Sequence, residues 1–301
     1  MIVGATASGK SVLAMELARR RPGVELVSMD SMALYRGMDV GTTAPTAAER
    51  AEVPHHLVDL VDPTEDFTVS EFQVAARRAL DDVEGRGARA VLVGGTGLHV
   101  RAVVDDLEIP GRYDEVREVL DADDDTPGLH TRLAGLDPVA AGRMEPTNRR
   151  RVVRALEVTL GSGRPFSSFG PGLEAYPATP FTQVGLRVDR EVLDRRIADR
   201  YRHQLEDGFL DEVRWLAALD GGPSRSASQA LGYSELLAHL RGECTLADAI
   251  ADAVAATRRF ARRQERWFRR DPRIEWFDVG ADPLKVLEAV LERFDRCGDP
   301  G

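Results

Sequence analysis

The strongest constraint on how this chain folds lies close to its beginning. Gly4, Ala5, Thr6, Ala7, Ser8, Gly9, Lys10 and Ser11 match the pattern GxxxxGK[ST]. Ile2 and Val3 read as the end of a strand, which is either short or begins upstream, since strands usually have about 5–6 residues. Ser11–Arg20 reads as a helix with Leu13, Leu17 and Ala18 on one face, stopped at Pro22-Gly23. Strand, glycine-bounded loop and helix together form a phosphate cradle: backbone N–H groups turn toward phosphate oxygens and the helix start adds its dipole. Lys10 offers positive charge to the outer phosphates, and the Ser11 hydroxyl can ligate Mg²⁺. Chance produces such a pattern in roughly one chain in a hundred of this length, and the flanking strand and helix lower that figure. Only two of the forty basic residues are lysines, Lys10 and Lys285. One of them therefore stands where a compact charge on a thin stem fits and a guanidinium fork does not. The loop alone is compatible with ATP-using enzymes, small-molecule kinases and transferases that bind a diphosphate ester.

Beyond the loop, Val24–Ser28 is an apolar strand ending in Met29-Asp30-Ser31. Ser70–Glu84 is a helix closed by Gly85, and Ala88–Val93 is a buried strand followed by Gly94-Gly95-Thr96-Gly97. This alternation predicts a parallel sheet with helices on its faces. From about Ile109 to Pro180 no buried strand is visible; an acidic helix, a helical Arg149–Leu160 and a Gly/Ser/Pro/Phe-rich stretch occupy the segment. Phe181–Val188 reads as a core strand. The chain is then largely helical to Arg270, with a short strand at Ile274–Phe277 and a last helix at Pro283–Asp295. The expected architecture is an α/β P-loop core of residues 1–110 and 181–301 with C-terminal helices, interrupted by a mostly helical insertion at 111–180.

Cys244 and Cys297 are the only cysteines, so a disulfide framework is not expected and a reducing cytoplasm is the plain reading. No apolar run approaches the roughly 20 residues of a membrane span, and no signal peptide is visible. A net charge of −10 argues mildly against a nucleic-acid partner. Its distribution argues otherwise, because arginine clusters at Arg149–Arg154 and Arg258–Arg270 while acid collects at Asp121–Asp125. Arg259, Arg262, Arg263, Arg266 and Arg270 recur at helical spacing, with Phe260 and Trp267 on another face. Either a solvated face or a nucleic-acid contact explains that stripe.

Asp30 follows a strand end, where parallel α/β sheets hold their ligands; it can organise a metal, act as a base or form a turn. Thr96 follows a buried strand and two glycines, which suits either close ligand approach or a tight turn. His55-His56 has no carboxylate or cysteine at ligand spacing, so a structural loop is expected there. Trp215 reads as core.

Several blocks carry a family resemblance. Residues 4–11 (GATASGKS), 28–42 (SMDSMALYRGMDVGT), 54–59 (PHHLVD), 92–98 (LVGGTGL), 154–158 (RALEV) and 256–269 (ATRRFARRQERWFR) fall in order over nearly the whole chain. They resemble the tRNA dimethylallyltransferases, and the 28–42 block is far more specific than the loop. The resemblance implies transfer of a dimethylallyl group from dimethylallyl diphosphate to N6 of the adenosine 3′-adjacent to the anticodon, in tRNAs reading codons that begin with U. On this resemblance Gly4–Ser11 holds the diphosphate, with Lys10 on its charge and Mg²⁺ at Ser11. Asp30 takes the N6 proton, and Thr96 positions the adenine and the diphosphate bridge. Asp30, Ser31, Met32, Ala33, Thr96 and Arg117 match tRNA-contact positions. So do Arg150, Arg151, Val152, Val153 and Arg154, and Gln229, Ala230, Leu231, Gly232, Tyr233 and Ser234. The chain departs from the family at Ala5, usually proline, and at Gln229 and Ser234, both usually arginine. The second departure removes two cations, and Arg225 is the nearby candidate to replace them. A monomer acting on the tRNA anticodon stem-loop is expected. The competing readings are a small-molecule kinase, an adenylate isopentenyltransferase acting on a free nucleotide, and a non-catalytic RNA-binding protein.

Overall fold

A computed structural model describes residues 1–297; the end of the expected core segment, 298–301, lies outside the described residues. Six strands form one parallel sheet: β1 (Ile2–Gly4), β2 (Val24–Ser28), β3 (His55–His56), β4 (Arg89–Gly94), β5 (Gln183–Arg187) and β6 (Ile274–Asp278), ordered β3-β2-β4-β1-β5-β6. The register sets Leu26 beside His55, Val27 beside Leu92, Ile2 beside Val93, Val3 beside Gly185 and Gln183 beside Ile274. This is the α/β P-loop class expected from the alternation of strands and helices. It places β1 between β4 and β5, where the strand order reverses and the carboxyl ends of the strands leave a crevice.

The chain divides into two compact units, one made of Met1–Val104 with the segment from Ala178 onward, the other of Asp105–Pro177. The first unit contains α1 (Lys10–Arg20), α2 (Ala47–Glu52), α3 (Val69–Gly85) and α4 (Gly97–Val104) before the break. The second contains α5 (Asp114–Asp121), α6 (Thr126–Leu136), α7 (Pro138–Ala141) and α8 (Arg149–Ser162). The first resumes with α9 (Arg190–Glu206), α10 (Phe209–Ala217), α11 (Arg225–Ser228), α12 (Tyr233–Leu240), α13 (Leu246–Phe268) and α14 (Leu287–Arg296). Among the described residues, no helix is long and apolar enough to cross a membrane.

Both faces of the sheet are covered, which is why its central strands read as continuous apolar runs. Ile2, Leu26, Val91, Val184 and Leu186 pack with Leu13, Leu17 and Ala18 of α1 and with Leu287, Val290 and Leu291 of α14. Their strand neighbours Val3, Val27 and Leu92 point the other way. They join Phe72 of α3, Val100 of α4, Ile197 and Tyr201 of α9, Phe209 of α10 and Phe268 of α13. The second unit has its own core of Leu120, Leu129, Leu133, Val152, Val153 and Leu156.

Four local readings change. The His55-His56 pair is an edge strand rather than a loop: His56 Nε2 meets Glu25 at 2.6 Å, and His55 Nδ1 lies 2.7 Å from the Val53 carbonyl. Arg86 completes the cluster and, with His56, holds Glu25 below the usual carboxylate range. Trp215 is 43% exposed rather than core, its ring lying where a Cβ on Gly37 would come within 2.5 Å. The helix expected to close at Gly85 includes it, and the left-handed turn falls at Gly87. The last helix begins with a 3₁₀ turn, Pro283–Val286.

Candidate active site

The phosphate loop is built by close approach. Gly9 takes φ +93°, and a Cβ there would lie 2.5 Å from Pro283; Ala7 at the apex also takes a left-handed φ of 62°. Such a conformation persists in a non-glycine residue only when the surroundings hold it. The first N–H groups of α1 have no partner within the helix, which makes this helix start a natural anion donor. The Lys10 ammonium donates to the Ala5 carbonyl at 2.7 Å. Burial pushes it down to about 8; the Asp30 carboxylate opposes that shift and the Arg200 guanidinium adds to it.

Asp30 lies just beyond β2. Its Oδ1 accepts the Met32 N–H at 2.8 Å, an Asx turn that aims the carboxylate and holds Ser31 and Met32 at half-exposed positions. Thr96 lies just beyond β4. Its Oγ1 accepts the Ser31 N–H at 3.3 Å and lies 3.4 Å from Ser31 Oγ. Glycine permits this proximity, since a Cβ on Gly94 would stand 2.5 Å from Met29. The ends of three adjacent strands, β2, β4 and β1, thus bring together Asp30, Thr96 and the Lys10 loop.

Four residues of this neighbourhood escaped the sequence reading. On α9, Arg200 Nη1 donates to Thr6 Oγ1 at 2.9 Å, and Arg196 donates to the Ala7 and Ala281 carbonyls at 3.2 and 2.8 Å. On α13, Gln264 bonds to both Thr6 and Gly95. His99 on α4 packs edge-on to Phe72 with its Nδ1 buried and unpartnered. Burial pushes His99 down to about 4 against the pull of Asp30, so its imidazole is neutral at pH 7. The i, i+4 arginines of α9 are the one available signal, but exposed arginines at 190 and 202 share that helix and mask it.

The other sequence candidates separate by burial. Ala5, Ala33 and Ala230 are buried, as is Tyr233, so their side chains face the core. The Tyr233 side chain is an internal brace. Its hydroxyl donates to Glu212 at 2.5 Å, and the same carboxylate accepts N–H groups from Asp39, Val40 and Gly41 at 2.8, 2.7 and 3.0 Å. Burial and the Glu212 charge hold the phenol far above its ordinary range. Glu212→Ala leaves these donors uncapped and is expected to cost about 3 kcal/mol, measured by urea denaturation, with Glu212→Gln retaining most of the stability. Gln229 is exposed, while Leu231 and Ser234 are half-buried around Gly232 at φ +86°. Arg225 is exposed on α11.

In the second unit, Arg150 and Arg151 are exposed on the first turn of α8. Val152 and Val153 are fully buried, which removes their side chains from any ligand-facing surface. Arg154 is bound to Glu157 and to the Pro110 carbonyl, and Arg117 to Asp121 at 2.7 Å and Glu157 at 3.5 Å. Both therefore serve internal ion pairs. A separate groove of about 580 Å³ runs beside α3. Its lining sets Asp62, Glu65, Asp66 and Glu71 against Arg36 and Arg78 and includes none of the loop residues.

The IPP transferase family model matches residues 33–271. The tRNA dimethylallyltransferase of Streptomyces coelicolor is 48% identical over 98% of this chain and 95% of its own length. That of Kineococcus radiotolerans is 49% identical over 97% and 94%. The solved tRNA isopentenylpyrophosphate transferase of Bacillus halodurans is 36% identical, with a TM-score of 0.71 over 98% of this chain and 95% of that one. On these matches, the chain belongs to the IPP transferase family.

Proposed function

We propose that this chain is a prenyltransferase that moves the dimethylallyl group of dimethylallyl diphosphate to N6 of the adenosine 3′-adjacent to the anticodon of tRNAs reading codons that begin with U, releasing diphosphate. The observation that carries this reading is the meeting of the Lys10 loop, Asp30 and Thr96 at three neighbouring strand ends. The names of the matched relatives support it.

In this reading Gly4–Ser11 holds the diphosphate, and Lys10 with the α1 N–H groups stabilises the charge that grows as the C–O bond breaks. Arg196 and Arg200 brace the outer side of the loop through Ala7 and Thr6. Asp30 accepts the proton that N6 becomes able to lose as the C–N bond forms. Thr96, linked to Ser31, positions the adenine and the bridging oxygen. A stacked adenine cannot reach such a crevice, so the base leaves the anticodon-loop stack.

The donor set suits Mg²⁺. Ser11 offers an exposed hydroxyl at the helix start, beside the loop that would hold the diphosphate. A Mg²⁺ held this way would draw its remaining ligands from substrate phosphate and water. When bound, it would neutralise diphosphate charge.

The helical unit, Asp105–Pro177, grips the anticodon stem-loop through exposed arginines. Replacing both Arg150 and Arg151 by alanine is expected to weaken tRNA binding about tenfold and to lower the slope of log affinity against log salt by about 2, read by filter binding across salt concentrations. The enzyme acts as a cytoplasmic monomer. Incubation with tRNA, Mg²⁺ and dimethylallyl diphosphate, followed by nucleoside mass analysis, tests the whole reading: dimethylallyl-adenosine is expected, and its absence overturns it. ATP consumption without tRNA would favour a kinase instead.

A further inference from the structure

Gln264 bonds to both substrate-facing turns. It is 7% exposed, on α13. Its Oε1 accepts the Thr6 N–H of the phosphate loop at 2.8 Å, and its Nε2 donates to the Gly95 carbonyl, one residue before Thr96, at 2.8 Å. The two bonds demand opposite roles, so an amide satisfies both and neither a carboxylate nor an aliphatic chain can. The strap is also tight: a Cβ on Gly95 would lie 2.4 Å from Gln264 Nε2 and 3.1 Å from the Gly4 carbonyl. The Thr6 amide is thereby withdrawn from the cradle, leaving phosphate to the N–H groups further along the loop.

We propose that Gln264 is a positioning residue that fixes the separation between the diphosphate loop and the Thr96 turn, and so the distance across which the prenyl group is transferred. The inference rests on the prenyl-transfer reading above. Each turn has other supports of its own: Lys10 to Ala5, Arg200 to Thr6, and Thr96 to Ser31. Loss of the strap should therefore disturb their relation while leaving each able to bind its ligand. Misplacement by about 1 Å costs on the order of 100-fold in rate, and that loss belongs in kcat.

The test uses the full chain with Gln264→Leu and Gln264→Glu. In Gln264→Leu, kcat for tRNA prenylation is expected to fall about 100-fold, with inorganic pyrophosphate and tRNA affinities within about threefold of wild type. In Gln264→Glu, the protonated acid can donate to Gly95 while its other oxygen accepts from Thr6. Burial beside a carbonyl raises its pKa. Its kcat relative to wild type is therefore expected to be substantial near about pH 6 and to fall about tenfold by about pH 8.5. Ionisation of a buried acid also weakens the fold, so the circular dichroism of Gln264→Glu is followed over the same pH range: it is expected to stay constant while kcat falls, and a parallel loss of folded signal would overturn the positioning role even if the leucine variant does not fold. Wild-type kcat in Gln264→Leu, or a flat ratio in Gln264→Glu, would overturn the proposal. Failure of the wild type itself to form dimethylallyl-adenosine would instead overturn the reading beneath it.

Discussion

Asp30→Asn is expected to lower kcat for dimethylallyl transfer about a thousandfold, within the range that loss of a positioned general base produces, while tRNA affinity stays nearly unchanged. The asparagine keeps an oxygen to accept the Met32 N–H at the place where Asp30 Oδ1 now accepts it. The Asx turn and the Ser31–Thr96 link are therefore preserved, and the substitution isolates the proton acceptor. N6 is a poor nucleophile whose proton becomes acidic only as the new bond forms, so the loss should appear in single-turnover rates rather than in binding. Full activity in Asp30→Asn would remove Asp30 from the chemistry and leave it a turn residue.

Lys10→Met is expected to reduce kcat/KM for the prenyl donor by about a thousandfold, the upper end for losing one charge-stabilising donor. Its pH signature is as informative as its size. Burial holds the Lys10 ammonium near 8 in the ligand-free protein, so the cation is present below that pH and is lost as pH rises through it. Because kcat/KM reports the free enzyme, it should fall above about pH 8 in the wild type and lack that step in Lys10→Met, which has no ammonium at this position. Bound diphosphate favours the charged lysine, so kcat at saturation should hold to higher pH. Initial rates at limiting and saturating donor, taken across pH, check both statements.

What could be read in the sequence follows the range of the forces involved. The phosphate loop, β2, β4 and the glycines after β4 are set by local pattern and were legible as such. Asp30 and Thr96 became candidates because both follow strand ends, although only the fold shows Ser31 joining them. The contacts of Gln264, Arg196 and Arg200 with the loop cross 258, 189 and 194 residues of chain. The i, i+4 spacing of Arg196 and Arg200 and the place of Gln264 in the 256–269 block are the only marks on them, and both are faint on helices already rich in arginine. The edge strand β3 was missed because it is two residues long and is held by His56, Glu25 and Arg86 instead of an apolar pattern. The run Arg150–Arg154 shows a different limit. A block matched by resemblance carries no facing, and helical periodicity turns Arg150 and Arg151 outward and Val152 and Val153 into the core.

The scarcity of lysine gives the depressed Lys10 ammonium a practical use. At neutral pH a larger share of its amine is unprotonated than in an ordinary lysine, and the only other lysine, Lys285, is exposed on the 3₁₀ turn after β6. An acylating reagent applied sparingly therefore meets two chemically distinct lysine targets, one inside the cradle and one on the surface. Pyrophosphate should shield the first and leave the second open. The ratio of the two labels would then count occupied loops directly, giving an active-site titration that needs neither tRNA nor turnover.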